Sequence, residues 1–440
     1  MRVSGAGPAI DSTVDLGGTV RARSAEETLE RIRPWIPKFG ITRVASVTGL
    51  DVLGVPVWMA VRPLARSLTV SQGKGISDTL AYISAVMESI EMHHAEHWDP
   101  KGLNVSLGEA FQDERFASPA SLSLRSDAKV TDQTEVTWVE GRDLVTGRPA
   151  FLPKELLDLD FRMKRGRAPV FLSSSNGLAS GNTRDEAIVH ALCEVIERDQ
   201  SCLWQIEQSL AGDPRKRMVQ IDTIEDPICR GQLDLCRRAN LDVWVWYCTY
   251  DIDVPVFACT IADRGNATFY PQRASGYGCH PVPTITLSRA VTEAIQSRLT
   301  HISGVRDDVT WERYRNDIAV TDRSNLAAFE AMAKMEPALP FDAIPPAPPI
   351  ASMHGMLEHL LAKLDAVGLK HAIVVEFDTA VEDFAFLFTC VPGLEFAANK
   401  PNYTPGERML NFLAKLGRKR AEVAPEKAVL LRDRAEIAPG

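Results

Sequence analysis

The sequence predicts an α+β fold in which mixed β-sheets pack against helices. Two observations predict it. Paired apolar runs with strand-like composition, 44–47 with 55–61 and 241–247 with 254–261, are each interrupted by short turns. Between and after them stand long segments whose apolar residues recur every three or four positions, the helical period.

In chain order, residues 1–20 are rich in Gly, Ser and Ala and read as an extended arm. Ser24 with Glu27 forms a capping box ahead of a helix that Pro34 and Pro37 should end. Two strands follow around Leu53-Gly54, and then RSLTVSQGKGIS, whose glycines flank Lys74 without the spacing of a phosphate-cradling loop. From Ser77, the residues Leu80, Ile83, Met87 and Ile90 define a helix with a core stripe; Ser84, Glu88 and Glu91 run beside it at i, i+4 and i+7. His93, His94, His97 and Glu96 come next. Adjacent histidines point about 100° apart on a helix, so packing is the favoured reading over a metal site.

Residues 98–172 are broken by Pro, Ser and Asp, with a strand at 136–139 and a short helix after Pro153. The stretch Ser173 to Asp199 then joins a glycine-bearing turn (Asn176, Gly177, Gly181, Asn182) to a helix opened by Thr183 and Glu186, a second capping-box signature. Ile188, Leu192 and Val195 face a core, while His190, Glu194 and Glu197 form a separate row, with Arg198 adjacent. The segment Ser275 to Asp308 repeats the theme: a glycine-rich loop, then a helix carrying Arg289, Glu293, Gln296 and Arg298. Past it come a helix around 326–334, the proline-rich 345–349, a helix over 353–367 stopped by Gly368, strands near 372–377 and 384–391, and a helix over 407–420.

Composition limits the function classes. With 440 residues, 45% apolar and 24% charged, the chain has ample material for a large core. A net charge of -9 argues against non-specific nucleic-acid binding. The short basic clusters at 162–167 and 415–420 read as a solvated loop and the basic last turn of a helix. No apolar run approaches the roughly 20 residues of a membrane span and no signal peptide is visible, so a cytoplasmic location is expected. The 8 cysteines lack paired spacing and read as reduced core residues; Cys193 is one of them rather than a nucleophile.

One acidic row on a helix is a solvated face as readily as a site. Three such rows, each behind a glycine-bearing stretch, make a site if they converge. Carboxylates from separate helices would supply oxygen ligands for Mg²⁺, and Lys74, Arg198 and Arg298 would meet phosphate oxygens.

The segments QGKGISDTLAYISAVMESIEMHHAEH, SSSNGLASGNTRDEAIVHALCEVIERD and GCHPVPTITLSRAVTEAIQSRLTHISGVRDD together resemble the YcaO family over roughly residues 40–400, and VPGLE at 391–395 resembles its C-terminal strand and turn. The resemblance implies a YcaO-type fold whose ATP site is formed by three acidic helices, with residues 1–20 an N-terminal arm, 21–400 the catalytic domain and 401–440 a C-terminal helix and polar tail. It implies ATP and Mg²⁺ as cofactors and phosphorylation of a peptide backbone amide oxygen. By the same resemblance Lys74, Ser84, Glu88, Glu91, Asn176, Glu194, Gln296 and Arg298 hold the nucleotide; Glu88, Glu91, Glu194, Glu197 and Glu293 hold the metal; and Glu194, Glu197, Arg198 and Glu293 are catalytic. Met92 departs from the family, whose first segment often continues Glu-Arg, so no phosphate contact is carried over to that position.

Azoline-forming members commonly end in a proline-alternating tail, whereas this sequence ends AEIAPG. The run GITRVASVTGLDVLGVPVWMAVRPLARSLTVSQGKG, followed by MESIEMHHAEH, looks more like YcaO proteins that work with a TfuA partner in backbone thioamidation. The expected partners are therefore a peptide or protein substrate, a TfuA-like protein and a sulfur donor, with no nucleic acid and no membrane; a homodimer is compatible with the family. The alternatives are an azoline-forming cyclodehydratase, a non-catalytic nucleotide-binding scaffold, and an ATP-grasp ligase or kinase.

Overall fold

The computed structural model describes residues 13–162, 168–210, 213–263, 273–309, 330–396 and 403–419. The α+β expectation holds. Strands β1 (Val14–Asp15) and β2 (Val20–Arg21) form a hairpin about Gly17 and Gly18, both at positive φ, where the expected irregular arm ends. Helix α1 (Ala25–Ile32) opens on Ser24, whose side chain accepts from the Glu27 amide while the Glu27 carboxylate returns to Ser24. The proline pair converts its end into a 3-10 segment over Arg33–Phe39.

An antiparallel sheet follows in the order β3 (Arg43–Ser46), β4 (Val57–Val61), β5 (Val70–Lys74), and α2 (Asp78–His97) packs on it. Next come β6 (Leu103–Ser106), α3 (Leu107–Gln112), β7 (Glu135–Asp143), β8 (Pro149–Pro153), α4 (Lys154–Leu157), β9 (Leu178–Gly181) and α5 (Arg184–Ser209). After β10 (Val219–Gln220) and α6 (Pro227–Arg238), the strands β11 (Asp242–Tyr247), β12 (Val256–Ala262) and β13 (Arg273–Cys279) make a second antiparallel sheet, covered by α7 (Pro283–Ser303). The described chain closes with β14 (Leu339–Pro340), α8 (Met353–Ala366), β15 (Ile373–Glu376), β16 (Ala385–Cys390) and α9 (Glu407–Lys419). β15 and β16 complete a six-stranded sheet in the order β6-β7-β15-β16-β9, with β8 on β7.

The three glycine-bearing stretches are largely strands, which corrects their reading as loops. Their glycines serve close packing against the helix that follows, at ordinary negative-φ or extended backbone. A Cβ on Gly73 of β5 would sit 2.0 Å from the Ala85 nitrogen of α2. On Gly181 of β9 it would sit 2.5 Å from the Ala187 nitrogen of α5, and on Gly276 of β13 2.2 Å from the Ala294 nitrogen of α7. Glycine on the strand and alanine on the helix thus let each helix ride nearly on the backbone of its own strand. Gly177 is the exception: at φ 91 it does turn the chain, beneath β16.

The second capping box is half formed. Thr183 accepts from the Glu186 amide at 3.2 Å, but the Glu186 carboxylate turns away to accept from the Ala22 amide at 2.8 Å and from Asn182 at 3.2 Å, tying the N-terminal hairpin to α5. The histidines of α2 pack as read. His94 stacks on Phe386 at 4.4 Å and His93 on His97 at 4.1 Å. Glu96 is buried in a two-pronged ion pair with Arg62, 2.8 Å for each prong. None of the eight cysteines forms a disulfide, and seven of them, Cys193 included, are buried. Among the described residues no helix is long and apolar enough to cross a membrane. Most of the basic run 162–167, the helix start at 326–329 and the tail beyond 419 lie outside the described residues.

Candidate active site

Helices α2, α5 and α7 converge on one cavity of about 410 Å³, with the β1–β2 hairpin along its edge. Lys74 at the end of β5, Ser84, Glu88 and Glu91 on α2, Glu194, Glu197 and Arg198 on α5, and Glu293 and Gln296 on α7 all line it. The one-turn spacing read from the sequence is therefore what aims each row inward. Lys74 donates to Glu293 Oε2 at 2.6 Å, and the Tyr277 amide donates to Glu293 Oε1 at 3.3 Å. Gln296 donates to the Gln72 carbonyl at 2.8 Å, and the Gly177 amide to Glu194 at 3.3 Å. Ser180 donates a short hydrogen bond to Glu91.

Two expected residues are not in the cavity wall. Arg298 points the other way and is buried in an ion pair with Asp51 at 2.9 Å, side chains 5% and 2% exposed, so it braces α7 against the 48–54 turn instead of meeting a ligand. A helical residue five positions past Glu293 is rotated about 140° from it, which is the physical reason. Asn176 stands beside the cavity in the turn under α5; its neighbour Ser175 and the later Asn182 are the lining residues. Glu197 lines the cavity but is only 5% exposed.

Three cations that the sequence did not assign to the site stand in the cavity wall. Arg21, Arg289 and Arg306 all line the cavity, as do His190 and Glu186. Arg21 comes from the hairpin, where no motif marked it, and Arg306 from the turn after α7. Arg289 lies one turn before Glu293, and that spacing was its signal. Met92 lines the cavity too, and Arg306 draws Glu88 towards its ionised form against burial.

The electrostatics are those of an acidic cluster short of counter-charge. Burial, opposed by the Ser180 hydrogen bond and reinforced by the neighbouring Glu88 and Glu194, pushes Glu91 up to about 8. Burial raises Glu88 and Glu197 to about 7, and raises Glu194 as well. Glu88 is open to the solvent in the cavity, but protein surrounds that solvent on most sides. Glu293 alone is held below the usual carboxylate range: burial opposes this, but Lys74 and then Arg198 outweigh it. Burial, then Arg289, Arg21 and Lys74, keep His190 neutral. Four carboxyls that resist ionisation call for a cation.

Among the described residues no three carboxylate, imidazole or thiolate groups converge closely enough to cage a metal by themselves. The arrangement suits a hard ion that takes one or two carboxylates and completes its shell with water and phosphate oxygens, the habit of Mg²⁺. Gln72 Nε2 and Arg289 Nε, both on cavity-lining residues, are buried donors without a hydrogen-bond partner, which is what a cradle for phosphate or ribose oxygens requires.

Residues 72–395, which span all three converging helices, match the family model described as YcaO cyclodehydratase, ATP- and Mg²⁺-binding. The chain belongs to the YcaO family. It is 34% identical over 405 residues, 89% of this chain and 93% of the relative, to the Rhizobium leguminosarum bv. trifolii "Uncharacterized protein in tfuA 3'region". The YcaO fold is shared with two solved structures. One, titled as YcaO from Methanopyrus kandleri bound with AMPPCP and Mg²⁺, superposes with a TM-score of 0.68 at 20% identity, covering 89% of this chain and 97% of that one. The other, a heterocyclase in complex with substrate and cofactor, gives 0.71 at 21% identity, covering 90% of this chain but 55% of the heterocyclase, so this chain spans about half its length. ATP and Mg²⁺ are the cofactors of the YcaO family to which the carboxylate cavity belongs.

Proposed function

We propose that this YcaO protein activates a backbone amide of a ribosomally made peptide or protein in an ATP-dependent reaction, and that the product is a thioamide, with a TfuA-like partner helping to deliver the sulfur. The observation that carries the peptide-activation reading is the convergence of Glu88, Glu91, Glu194, Glu197 and Glu293 with Lys74, Arg21, Arg198, Arg289 and Arg306 on one cavity. The thioamide reading is favoured by the similarity to the relative named for the tfuA 3' region.

The residues divide the work by chemistry. Glu88 and Glu91 from α2 and Glu194 and Glu197 from α5 are the candidate Mg²⁺ ligands, each able to give one oxygen to an ion that shares its other ligands with phosphates. Lys74, held by Glu293 at 2.6 Å, would offer its remaining ammonium hydrogens to a phosphate. Arg198, tied to Glu194 at 3.8 Å and about half exposed, offers a guanidinium to charge developing at the cavity mouth. Arg21 and Arg289 offer theirs deeper in. ATP, when bound with Mg²⁺, supplies the phosphoryl group that turns the amide oxygen into a leaving group, after sulfide has added to the amide carbon, so that phosphate departs and a C=S bond remains. The protein contributes position and charge neutralisation, the main burden in phosphoryl transfer.

Purified protein, a TfuA-like protein, Mg²⁺·ATP, sulfide and the substrate peptide should give a peptide heavier by the difference between sulfur and oxygen. Loss of one water instead would assign azoline formation. Binding of nucleotide with no turnover on any peptide would assign a scaffold, and failure of the amide's heavy-oxygen label to appear in phosphate would point to a ligase or kinase.

A further inference from the structure

The turn that follows α7 carries a guanidinium into the carboxylate cavity from outside the three helices. Gly304, at φ 60, ends α7 with its amide on the Thr300 carbonyl at 3.1 Å, and the Val309 amide closes on the Arg306 carbonyl at 3.0 Å. Between them Asp307 accepts from the Thr69 amide at 2.6 Å and the Thr69 hydroxyl at 2.7 Å, which stitches the turn to the residue before β5. Asp308 holds Arg306 itself, accepting from Nε at 2.8 Å and from Nη2 at 2.5 Å. Nη1 takes no part in that fork. The side chain is 32% exposed and lines the cavity. Arg306 is thus a cation on a pinned backbone, aimed by its own carboxylate, with donors left for a ligand.

The cavity is polarised along α2, and this turn stands at one end of it. Ile76 before the helix, and Leu80 and Ile83 in its first turns, give way to Glu88 and Glu91, with Met87 and Met92 beside them. From Leu80 to Glu88 is about 12 Å along the axis. β5 runs the opposite way. A Cβ on Gly75 would sit 2.7 Å from Leu80 and one on Gly73 2.0 Å from the Ala85 nitrogen, while further back the Ser67 amide donates to Glu96 at 3.2 Å. Thr69, and the turn stitched to it, therefore lie level with the acidic half of α2. The electrostatics agree: after burial, Arg306 acts on Glu88 more strongly than any other group, drawing it towards its ionised form.

A nucleoside triphosphate has the same polarity, a base at one end and its charge at the other. The apolar first turns of α2 fit the base, and the acidic turns fit phosphates that share a metal ion. Glu88 is exposed and Arg306 partly so, which makes the acidic end the one open to solvent, from which a peptide would come. The phosphate to be transferred must face that peptide. We infer that Arg306 is the residue that meets the terminal phosphate of the nucleotide, offering Nη1 while Asp308 keeps the guanidinium fixed. There it offsets charge on the phosphoryl group as the bond to the bridging oxygen, which stays with ADP, breaks and a bond to the amide oxygen forms. This deepens the proposed function and rests on it for the identity of the nucleotide.

Calorimetry on the whole chain tests it by comparing AMPPCP, which carries the terminal phosphate, with ADP, which lacks it, both with Mg²⁺. The parent should bind AMPPCP the more tightly. Arg306→Gln should weaken AMPPCP binding by roughly tenfold or more and leave ADP binding within about threefold of the parent. Its thermal melt should be unchanged, because the lost pairing with Asp308 is a surface one. Arg306→Lys, whose ammonium cannot form the fork, should show the same selective loss on a smaller scale. Equal loss of both ligands in these variants, or loss of neither, overturns the assignment and leaves the nucleotide reading standing, as does a parent that binds the two alike. A parent that binds neither ligand overturns the nucleotide reading and the assignment with it.

Discussion

Replacing Glu91 by glutamine should stabilise the protein while disabling it. Glu91 is 8% exposed, lies beside Glu88 on α2 and near enough to Glu194 of α5 to feel its charge, and is raised to about 8 chiefly by burial. A carboxyl whose folded pKa lies above its unfolded value costs stability as pH rises. The cost is absent below about pH 4.5, grows through the interval up to the folded pKa, and is complete above about pH 8. A shift from near 4.5 to about 8 corresponds to roughly 5 kcal/mol, an upper limit because side chains and water relax around the charge. Glutamine keeps an acceptor for Ser180 and cannot ionise. Chemical denaturation at about pH 8.5 should therefore show Glu91→Gln more stable than the parent by some 2–5 kcal/mol, with the difference shrinking towards zero at about pH 5. Calorimetry of the same variant should show Mg²⁺-dependent AMPPCP affinity reduced at least tenfold. If the variant is less stable at about pH 8.5, or binds Mg²⁺-nucleotide like the parent, the view of this cluster as acidic groups awaiting a cation is refuted.

The same cluster should expel protons on binding: near pH 7 Glu88, Glu91 and Glu197 are partly protonated, so calorimetry in buffers of different ionisation enthalpy should detect net proton release, and affinity should rise between about pH 6 and pH 8. No proton release would contradict it. Arg298→Ala should destabilise by about 3–5 kcal/mol in thermal or denaturant melts because it strands the buried Asp51, whereas Arg289→Ala should leave the melt nearly unchanged and weaken nucleotide binding. Equal effects of the two on binding, with neither affecting the melt, would reverse their assigned roles. Gly276→Ala should cost at least about 1–3 kcal/mol and lower nucleotide affinity, since the new Cβ would press on α7 next to Glu293; a neutral result in melting and binding would mean α7 is free to shift.

Much of the site could be read in one dimension. A side chain's direction on a helix follows from its residue number, so Ser84, Glu88 and Glu91 could be placed in one row, and Glu194 with Glu197 in another, before any coordinates. Capping residues marked the starts of α1 and α5 for the same local reason. The start of α6 carried a comparable signal, Asp226 ahead of Pro227, which was not read as a helix.

Three things required the tertiary structure. Glycine is ambiguous in a sequence, because it serves a turn and a close helix approach equally well; only the packing of Ala85, Ala187 and Ala294 onto Gly73, Gly181 and Gly276 showed that these are strands. Arginine is ambiguous in the same way, since its charge suits a buried carboxylate or a ligand. Arg298 found Asp51, 247 positions earlier in the chain, while Arg21, from a hairpin without a motif, reached the cavity. Burial, finally, has no local signal: the sequence determined that Glu91 and Glu197 share faces with other carboxylates, and the convergence of three helices decided that those faces would be closed to bulk water and so raised in pKa.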